Sequence, residues 1–231
     1  MQKKIVVMSG AGISAESGIK TFRDADGLWE GHDVMEVASP QGWERNKELV
    51  LDFYNQRRKQ LHEVQPNVAH YALTELEDRY DVHVVTQNVD DLHERGGSRQ
   101  IVHLHGELLK VRSTLDSSLV YEWKKDLNLG DTCEKGAQLR PHIVWFGEEV
   151  PMLQHAAAIT TQADIVIIVG TSMQVYPAAG LVGFAPPFAE VFYVDPKPAI
   201  NYELSRSRNL TVIEEPATTG IRKVVDQLIA R

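Results

Sequence analysis

The sequence predicts an α/β protein whose doubly wound parallel sheet carries a smaller second lobe made of two insertions. Short apolar runs at 4–9, 82–86 and 164–169 are rich in β-branched residues and alternate with segments of helical period. The run at 164–169, DIVIIV, is almost entirely apolar, which is typical of a strand buried on both faces. Together these observations predict helices on both faces of a parallel sheet.

The remaining elements follow from period and from start signals. Further strands are predicted at 142–146, 190–194 and 209–213. Ser39-Pro40 marks a helix start with proline in its first turn. Other helices are predicted at 46–63, 66–80, 152–162 and 218–230, and another opens at Pro177.

The polar segment at 113–140 is rich in turn residues, lacks a clear period and is predicted to be an inserted module. We therefore expect a single domain over 1–231 with two lobes. The large lobe would comprise 1–18, 81–107 and 141–231, and the small lobe 19–80 and 108–140.

Composition excludes several classes of protein. The 231 residues are 43% hydrophobic and 24% charged, which is ordinary for a soluble enzyme with a sizeable core. A net charge of −8 offers no general attraction for nucleic acid. The first apolar run is too short for a signal peptide, and no run reaches membrane-spanning length. We expect a cytoplasmic protein with no nucleic-acid or membrane partner.

A glycine-rich turn follows the first predicted strand. Residues 10–18 read GAGISAESG and lead into a helix start, an arrangement in which backbone N–H groups meet a phosphate. The third glycine of the dinucleotide fingerprint is absent, and the loop at 18–29 supplies neither a second strand nor a ribose-binding acid. By itself this turn is compatible with a purely structural role.

The densest polar chemistry follows the strand at 82–86. Residues 86–106 read TQNVDDLHERGGSRQIVHLHG, and open α/β sheets bind ligands at the carboxyl ends of their strands. The candidate side chains there are Gln87, Asn88, Asp90, His93, His103 and His105. His103 and His105 would share a strand face, so a metal pair is conceivable, but no third ligand has suitable spacing. His93 is expected to make structural hydrogen bonds.

One arginine falls on an apolar helical stripe. Val50, Tyr54, Arg57 and Leu61 recur at i, i+4, i+7 and i+11. Arg57 is therefore expected to face inward, where it needs a carboxylate partner, either internal or on a ligand. Its neighbour Arg58 is expected to be solvated.

Six motifs, in this order along the chain, resemble those of the sirtuin family of NAD-dependent protein lysine deacylases. They are GAGIS at 10–14, GIKTFR at 18–23, TQNVDDLHERGG at 86–97, HG at 105–106, LRPHIVWFGE at 139–148 and GTSMQVYPA at 170–178. Several motifs in order are much more specific than any one of them. The resemblance covers nearly the whole chain and implies a Rossmann-like sheet that binds NAD as a consumed co-substrate.

The resemblance also implies the site residues. His105 would be the catalytic base, with Asn88 and Asp90 as further catalytic groups. NAD would contact Gly10, Ala11, Gly12, Ser14, Glu16, Thr21, Phe22, Arg23, Trp29, Gln87, Asn88, Asp90, His105, Gly170, Thr171, Ser172, Asp195 and Ala217. An acyl-lysine protein or peptide would add as a strand along Val144, Phe146, Gly147, Glu148 and Val175. The products would be nicotinamide, free lysine and O-acyl-ADP-ribose.

Tyr54-x-x-Arg57 resembles the pocket signature of the sirtuin branch that removes succinyl and malonyl groups. A planar guanidinium would bind the distal carboxylate of the acyl chain, and the Tyr54 hydroxyl would add a hydrogen bond. Removal of neutral acetyl groups is an alternative within the same class.

The chain departs from the family in the inserted module, which usually carries four zinc-binding cysteines. Ser113 and Asp116 stand where the first pair is expected, and Cys133 is the only cysteine of the chain. No internal disulfide and no closed multi-cysteine site can form, so we expect no zinc. Asp91 replaces a usual glycine, and Lys20 a usual proline.

Two hypotheses from other functional classes are alternatives to the deacylase. A non-catalytic module that binds NAD or ADP-ribose would fit the altered insertion. A nicotinamide dehydrogenase would need the second strand and the ribose acid that are missing here.

Overall fold

A parallel sheet and two small antiparallel sheets organise the computed structural model, which describes residues 2–20, 28–29 and 31–231. The strands are β1 (Lys4–Ser9), β2 (Leu28–Trp29), β3 (His32–Asp33), β4 (Asp81–Thr86), β5 (Ile101–His103), β6 (Gly106–Ser113), β7 (Val120–Glu122), β8 (Leu139–Ile143), β9 (Ile165–Val169), β10 (Glu190–Val194) and β11 (Leu210–Ile213).

The large sheet has the order β11-β10-β9-β1-β4-β5, and all of its neighbouring strands are parallel. The chain therefore builds outward from β1 in one direction and then returns to build outward in the other. This reversal leaves a crevice between β1 and β9 at their carboxyl ends, where doubly wound sheets bind ligands. The predicted fold class is confirmed.

Helices cover both faces of the sheet and form most of the segment between β3 and β4. They are α1 (Gly12–Ala15), α2 (Val34–Val37), α3 (Pro40–Arg45), α4 (Lys47–Glu63), α5 (Val68–Glu75), α6 (Leu92–Gly96), α7 (Leu153–Thr160), α8 (Tyr202–Ser205) and α9 (Ala217–Ile229), with 3-10 turns at Leu76–Asp78 and Ala178–Phe184. Side-chain caps start several of them, for example Ser39 Oγ, which accepts from the Gly42 N–H at 3.0 Å. No helix in the described part of the chain combines the length and apolarity needed to cross a bilayer.

Three apolar clusters make up the core. One lies on the face of the sheet covered by α5 and α9, and a second lies on the opposite face beneath α7 and the 3-10 turn at Ala178–Phe184. The third joins α4 to the three-stranded sheet β7-β6-β8 and includes Phe53, Tyr54 and Trp145. This third cluster supports one wall of the crevice.

Element boundaries differ from the prediction where local contacts compete with the apolar pattern. The helix predicted from residue 66 begins at Val68, because the Asn67 side chain caps it and the His70 ring accepts the Asn67 N–H in return. The strand predicted at 142–146 is β8, Leu139–Ile143, which pairs with β6 and leaves residues 144–148 as a connecting segment. The helix predicted at Pro177 is a 3-10 turn.

Two buried histidines make folding stability depend on pH. Burial lowers the pKa of His70 to about 4, and burial also lowers the pKa of His93 well below its usual range. The two rings lie 5.1 Å apart in an edge-to-face contact. The unfolded chain would bind protons at these groups near pH 6.5 while the folded chain does not, so stability falls as pH is lowered through this window.

We expect His70→Gln to lessen this acid sensitivity. The variant should lose about 3 kcal/mol less folding free energy than the wild type between pH 7 and pH 4, because one buried base is removed. Urea unfolding at several pH values measures the difference, with His155→Gln at an exposed position as the control. Parallel pH dependences for His70→Gln and the wild type would contradict this account.

Candidate active site

A cavity of about 650 Å³ opens at the crevice between β1 and β9. It extends past the ends of β1, β4 and β9 to α4 and to the segment that follows β8. Two residue groups that the sequence analysis assigned to different ligands therefore border one continuous space.

Two glycine turns meet at the base of this cavity. The Gly12 N–H donates to the Gly170 carbonyl at 2.8 Å, and the Gly10 N–H donates to Val169 at 3.0 Å. A Cβ atom on Gly12 would lie 2.6 Å from the Gly170 Cα, and Gly170 itself has a φ of +62°. Glycine is therefore required on both sides of this contact. Helix α1 spans only four residues, so the cradle consists mainly of backbone.

An amide, a hydroxyl and a carboxylate form a connected group beside the turns. The Asn88 side-chain NH₂ donates to Ser14 Oγ at 3.1 Å, and the Ser14 hydroxyl donates to Asp90 Oδ2 at 2.9 Å. The Leu92 N–H donates to the other Asp90 oxygen at 3.1 Å. Burial raises the pKa of Asp90 to about 6. Asn88 and Asp90 line the cavity, whereas Ser14 supports them from behind.

His105 presents one ring nitrogen to the cavity. Its Nδ1 lies 3.1 Å from the Gln87 carbonyl oxygen, so Nδ1 carries the proton that it donates there. The Nε2 lone pair is left as a proton acceptor. Burial lowers the pKa of His105, and the ring is therefore neutral at pH 7.

His103 and His93 are directed away from this cavity. Strand β5 ends at His103, and the His103 ring lines a second cavity of about 220 Å³ next to Glu94 and Glu107. The ligand atoms of these three side chains lie within 4.8 Å of one another. Glu94 is paired with His103, and Glu107 with Lys110. His93 bonds Ser9 Oγ at 2.8 Å, in the structural role expected for it.

The opposite end of the main cavity lies beyond β9 and β10. Thr171 Oγ1 accepts from the Gln87 side chain at 3.2 Å and from the Met173 N–H at 3.3 Å. Asp195 Oδ1 accepts the Lys197 N–H at 2.8 Å. Glu16 accepts from the N–H and the hydroxyl of Thr218 and so joins α1 to α9.

Arg57 lines the cavity, as its place in the apolar stripe predicted, and its guanidinium lies over the Phe53 ring at 4.3 Å. Tyr54 is fully buried behind it and is not among the lining residues. The Trp145 Nε1–H donates to the Tyr54 hydroxyl at 3.0 Å. Burial raises the pKa of Tyr54, so the hydroxyl keeps its proton.

The expectation that Arg58 is solvated is wrong. Its side chain is 1% exposed, its Nε–H donates to the Leu108 carbonyl at 3.2 Å, and its Nη1 donates to Asn55 Oδ1 at 2.7 Å. Residues 51, 55 and 58 form a second inward stripe of α4, which packs against β6. A helix covered on two sides does not follow the single-stripe pattern.

The segment after β8 is held by a network of charges. Glu148 accepts from Arg140 at 2.6 Å, from Arg112 at 3.2 Å and from the Trp145 N–H at 2.8 Å. The Arg140 guanidinium also stacks on Trp145, 3.3 Å from the ring centroid. This network orients the backbone of residues 144–148 along the cavity.

Most of the predicted site residues meet in this cavity. Apart from Ser14 and Tyr54, every described residue that was predicted to act in catalysis, NAD binding or acyl-lysine binding lines it. Thr21, Phe22 and Arg23 lie outside the described residues. Several lining residues were not predicted from the sequence, among them Gln60 and Lys197. Helical period could have predicted Gln60, because Gln60 lies one helical turn beyond Arg57.

A doubly wound sheet with a glycine cradle at its switch point is typical of dinucleotide-binding proteins. The family model described as Sir2 family matches residues 10–177. A Helicobacter pylori relative named NAD-dependent protein deacylase is 61% identical over 227 residues, which cover 98% of each chain. A Bacteroides thetaiotaomicron relative of the same name is 50% identical over 233 residues, again covering 98% of each.

Solved structures agree with this assignment. A Sir2 homologue mutant in complex with ADP-ribose superposes with a TM-score of 0.89 at 36% identity, covering 99% of this chain and 93% of that one. A Sir2 homologue in complex with NAD gives 0.87 at 36% identity, covering 99% and 90%. The chain belongs to the Sir2 family. The predicted family is confirmed, and with it the class of NAD-dependent enzyme.

The residues of the inserted module do not fit the zinc ion that the family resemblance implies. Ser113 Oγ accepts from the Cys133 thiol at 3.3 Å and from the Leu115 N–H at 3.1 Å. The Asp116 carboxylate is bound by the Lys135 ammonium at 2.7 Å. One thiol, one hydroxyl and an ion-paired carboxylate do not form a closed tetrahedral thiolate site. Protein hydrogen bonds and an ion pair join the two turns instead.

We expect metal chelation to leave this protein intact. Prolonged EDTA treatment should not change its melting temperature, because the bonds between residues 113–116 and 133–136 need no metal. Differential scanning calorimetry with elemental analysis of the purified protein measures this. One zinc per chain, together with a lower melting temperature after chelation, would overturn this interpretation.

Proposed function

We propose that the protein is an NAD-dependent protein lysine deacylase that acts on acidic acyl groups such as succinyl and malonyl. The main support for this proposal is a single cavity that is lined by the glycine cradle, the Asn88–Asp90 group, His105 and Arg57. A cofactor site, a proton acceptor and a binding site for a negative charge thus share one space. The proposed two-lobe division, with a large lobe at 1–18, 81–107 and 141–231, places this cavity where the lobes meet.

The residues of the cavity fit NAD. The close contact between the two glycine turns leaves main chain rather than side chains at the base of the cavity, where the phosphates of NAD would lie. Thr171, Ser172 and Asp195 would hold the adenosine half, and Asn88 and Asp90 the nicotinamide half. When bound, NAD supplies an electrophilic ribose carbon that accepts the acyl oxygen as nicotinamide leaves.

His105 would act as the general base for a ribose hydroxyl. The Gln87 carbonyl holds the proton on Nδ1, and this leaves Nε2 to accept a proton inside the cavity. A neutral ring is required for this role, and burial provides it by lowering the pKa of His105. His103 has no part in this proton transfer, because its ring faces the second cavity.

The acyl-lysine peptide would add its backbone as a strand between Val144–Glu148 and residues 174–176. The charge network on Glu148 keeps the first of these segments in place. The lysine side chain would then extend towards His105 with its acyl end at Arg57. Tyr54 lies behind Arg57 and does not line the cavity, so the proposed contact with the acyl carboxylate depends on Arg57.

We expect His105→Gln to lower kcat by at least about 100-fold with both succinyl-lysine and acetyl-lysine peptides, since it removes the general base.

In the wild type, kcat/KM should fall as pH drops below about 6.5, because protonation of His105, whose pKa is lowered, removes the acceptor. Protonation of Asp90 near pH 6 steepens this fall. Nicotinamide release measures both effects.

The control for this experiment is His155→Gln, an exposed position outside the cavity. Calorimetric NAD binding with no release of nicotinamide from NAD in the presence of any acyl peptide would reject the deacylase and favour a binding module. Unchanged release by His105→Gln would reject the general-base assignment.

We expect Arg57→Met to separate the acyl substrates. A charge-assisted hydrogen bond contributes about 1.5–3 kcal/mol, so kcat/KM for succinyl-lysine should fall about 10- to 100-fold while that for acetyl-lysine changes little. The ratio of the two values is the measurement. Lys59→Met removes the same charge from an exposed position of α4 and is the matched control. Equal losses for both substrates would reject the acyl-carboxylate site.

A further inference from the structure

His103 occupies an unusual position behind the nicotinamide side of the site. Its Nδ1 lies 2.9 Å from the Asn88 carbonyl oxygen, and its Nε2 lies 2.7 Å from Glu94 Oε1. The His103 side chain is only 9% exposed. Val89 and Asp90 border both the main cavity and the cavity that His103 lines, so this short segment separates the two.

The chemistry of these two contacts determines the charge of the ring. A carbonyl oxygen and a carboxylate oxygen are both acceptors, so both ring nitrogens must donate. Only the imidazolium has two N–H groups. A neutral ring would leave one nitrogen lone pair facing an oxygen lone pair at hydrogen-bond distance.

The surrounding charges favour the imidazolium. Glu94 on α6 faces the ring directly, and Glu107 on β6 lies beside it. The other charged groups bordering this cavity are Asp90, Asp91, Lys110, Glu122 and Lys124. Burial lowers the pKa of His103, but the hydrogen bond and the charge of Glu94 outweigh burial and raise the pKa above its usual value.

His103 and His105 lie two residues apart and bind the carbonyl groups of two successive residues. His105 bonds the carbonyl of Gln87, and His103 bonds the carbonyl of the next residue, Asn88. The Asn88 N–H donates to Thr86 Oγ1 at 3.0 Å, and its side chain donates to Ser14. The His103 contact therefore adds the bond to the Asn88 carbonyl and limits rotation of this peptide.

We propose that His103, as an imidazolium held between Asn88 and Glu94, is a positioning residue that fixes the Asn88–Asp90 segment against the nicotinamide half of NAD. This inference rests on the proposed function. The ring does not touch the main cavity, so it acts through Asn88. Loss of its proton at high pH breaks one of the two contacts and loosens the segment.

Two variants test this proposal. His103→Gln removes the ring, and Glu94→Gln keeps the ring but removes the carboxylate charge. Both should raise the KM for NAD and the inhibition constant of nicotinamide about two- to tenfold, the range expected for one hydrogen bond, while kcat at saturating NAD stays within about twofold. Glu107→Gln is the matched comparison: its carboxylate also lies near the ring but pairs with Lys110, so this variant should change both constants less than Glu94→Gln does.

Measurements that need no catalysis separate this proposal from the deacylase proposal. NMR titration of the His103 ring should give a pKa above 6.5 in the wild type and a lower value in Glu94→Gln. Calorimetry should show weaker NAD binding by both variants. A ring that titrates at or below 6.5, or a Glu94→Gln variant that behaves like Glu107→Gln, would overturn the proposal. Wild-type protein that binds no NAD would reject both proposals.

Discussion

The contact between the two glycine turns is the constraint on which the rest of the site depends. The Gly12 N–H to Gly170 carbonyl bond joins the ends of β1 and β9, the strands between which the sheet reverses its direction of growth. No side chain fits between them, so main chain from both turns reaches the floor of the crevice. The fold thus makes a backbone surface at the place where its topology opens a cleft. The polar residues after β4 are then arranged around this surface.

Those polar residues are buried, and burial of polar groups is costly unless each has a partner. The structure meets this requirement by linking them in series, from Asn88 through Ser14 to Asp90, with histidines on two successive carbonyls. The same links that offset desolvation also orient the groups that face the cavity. Stability and positioning therefore come from the same bonds, which is why residues outside the cavity bear on ligand binding.

The side of the cavity formed by α4 shows how charge can be kept in a largely apolar wall. Arg57 lies over Phe53, Arg140 stacks on Trp145, and Trp145 donates to Tyr54. Aromatic faces and a paired carboxylate replace water around the guanidinium groups. In the inserted module, a thiol–hydroxyl bond and an ion pair join turns that the family resemblance would join through zinc.

Much of this could be predicted from the sequence, because strands, turns and motif residues are encoded by local pattern. The apolar runs placed β1, β4 and β9, and the motifs placed His105, Asn88 and Asp90 at the carboxyl edge of the sheet. The inward direction of Arg57 also followed from helical period. What period could not show was that α4 is covered on two sides, so that Arg58 is buried as well.

The sequence by itself determined that parallel strands alternate with helices, where the glycine turns lie and which polar groups follow the strands. Only the tertiary structure decided which nitrogen of His105 faces the cavity, which member of the Tyr54–Arg57 pair lines it, and which contacts join the inserted module. The physical reason is that these properties depend on partners distant in the chain. Asn88 meets His103, Tyr54 meets Trp145, and Arg58 meets Leu108 only after the sheet and its insertions have packed together.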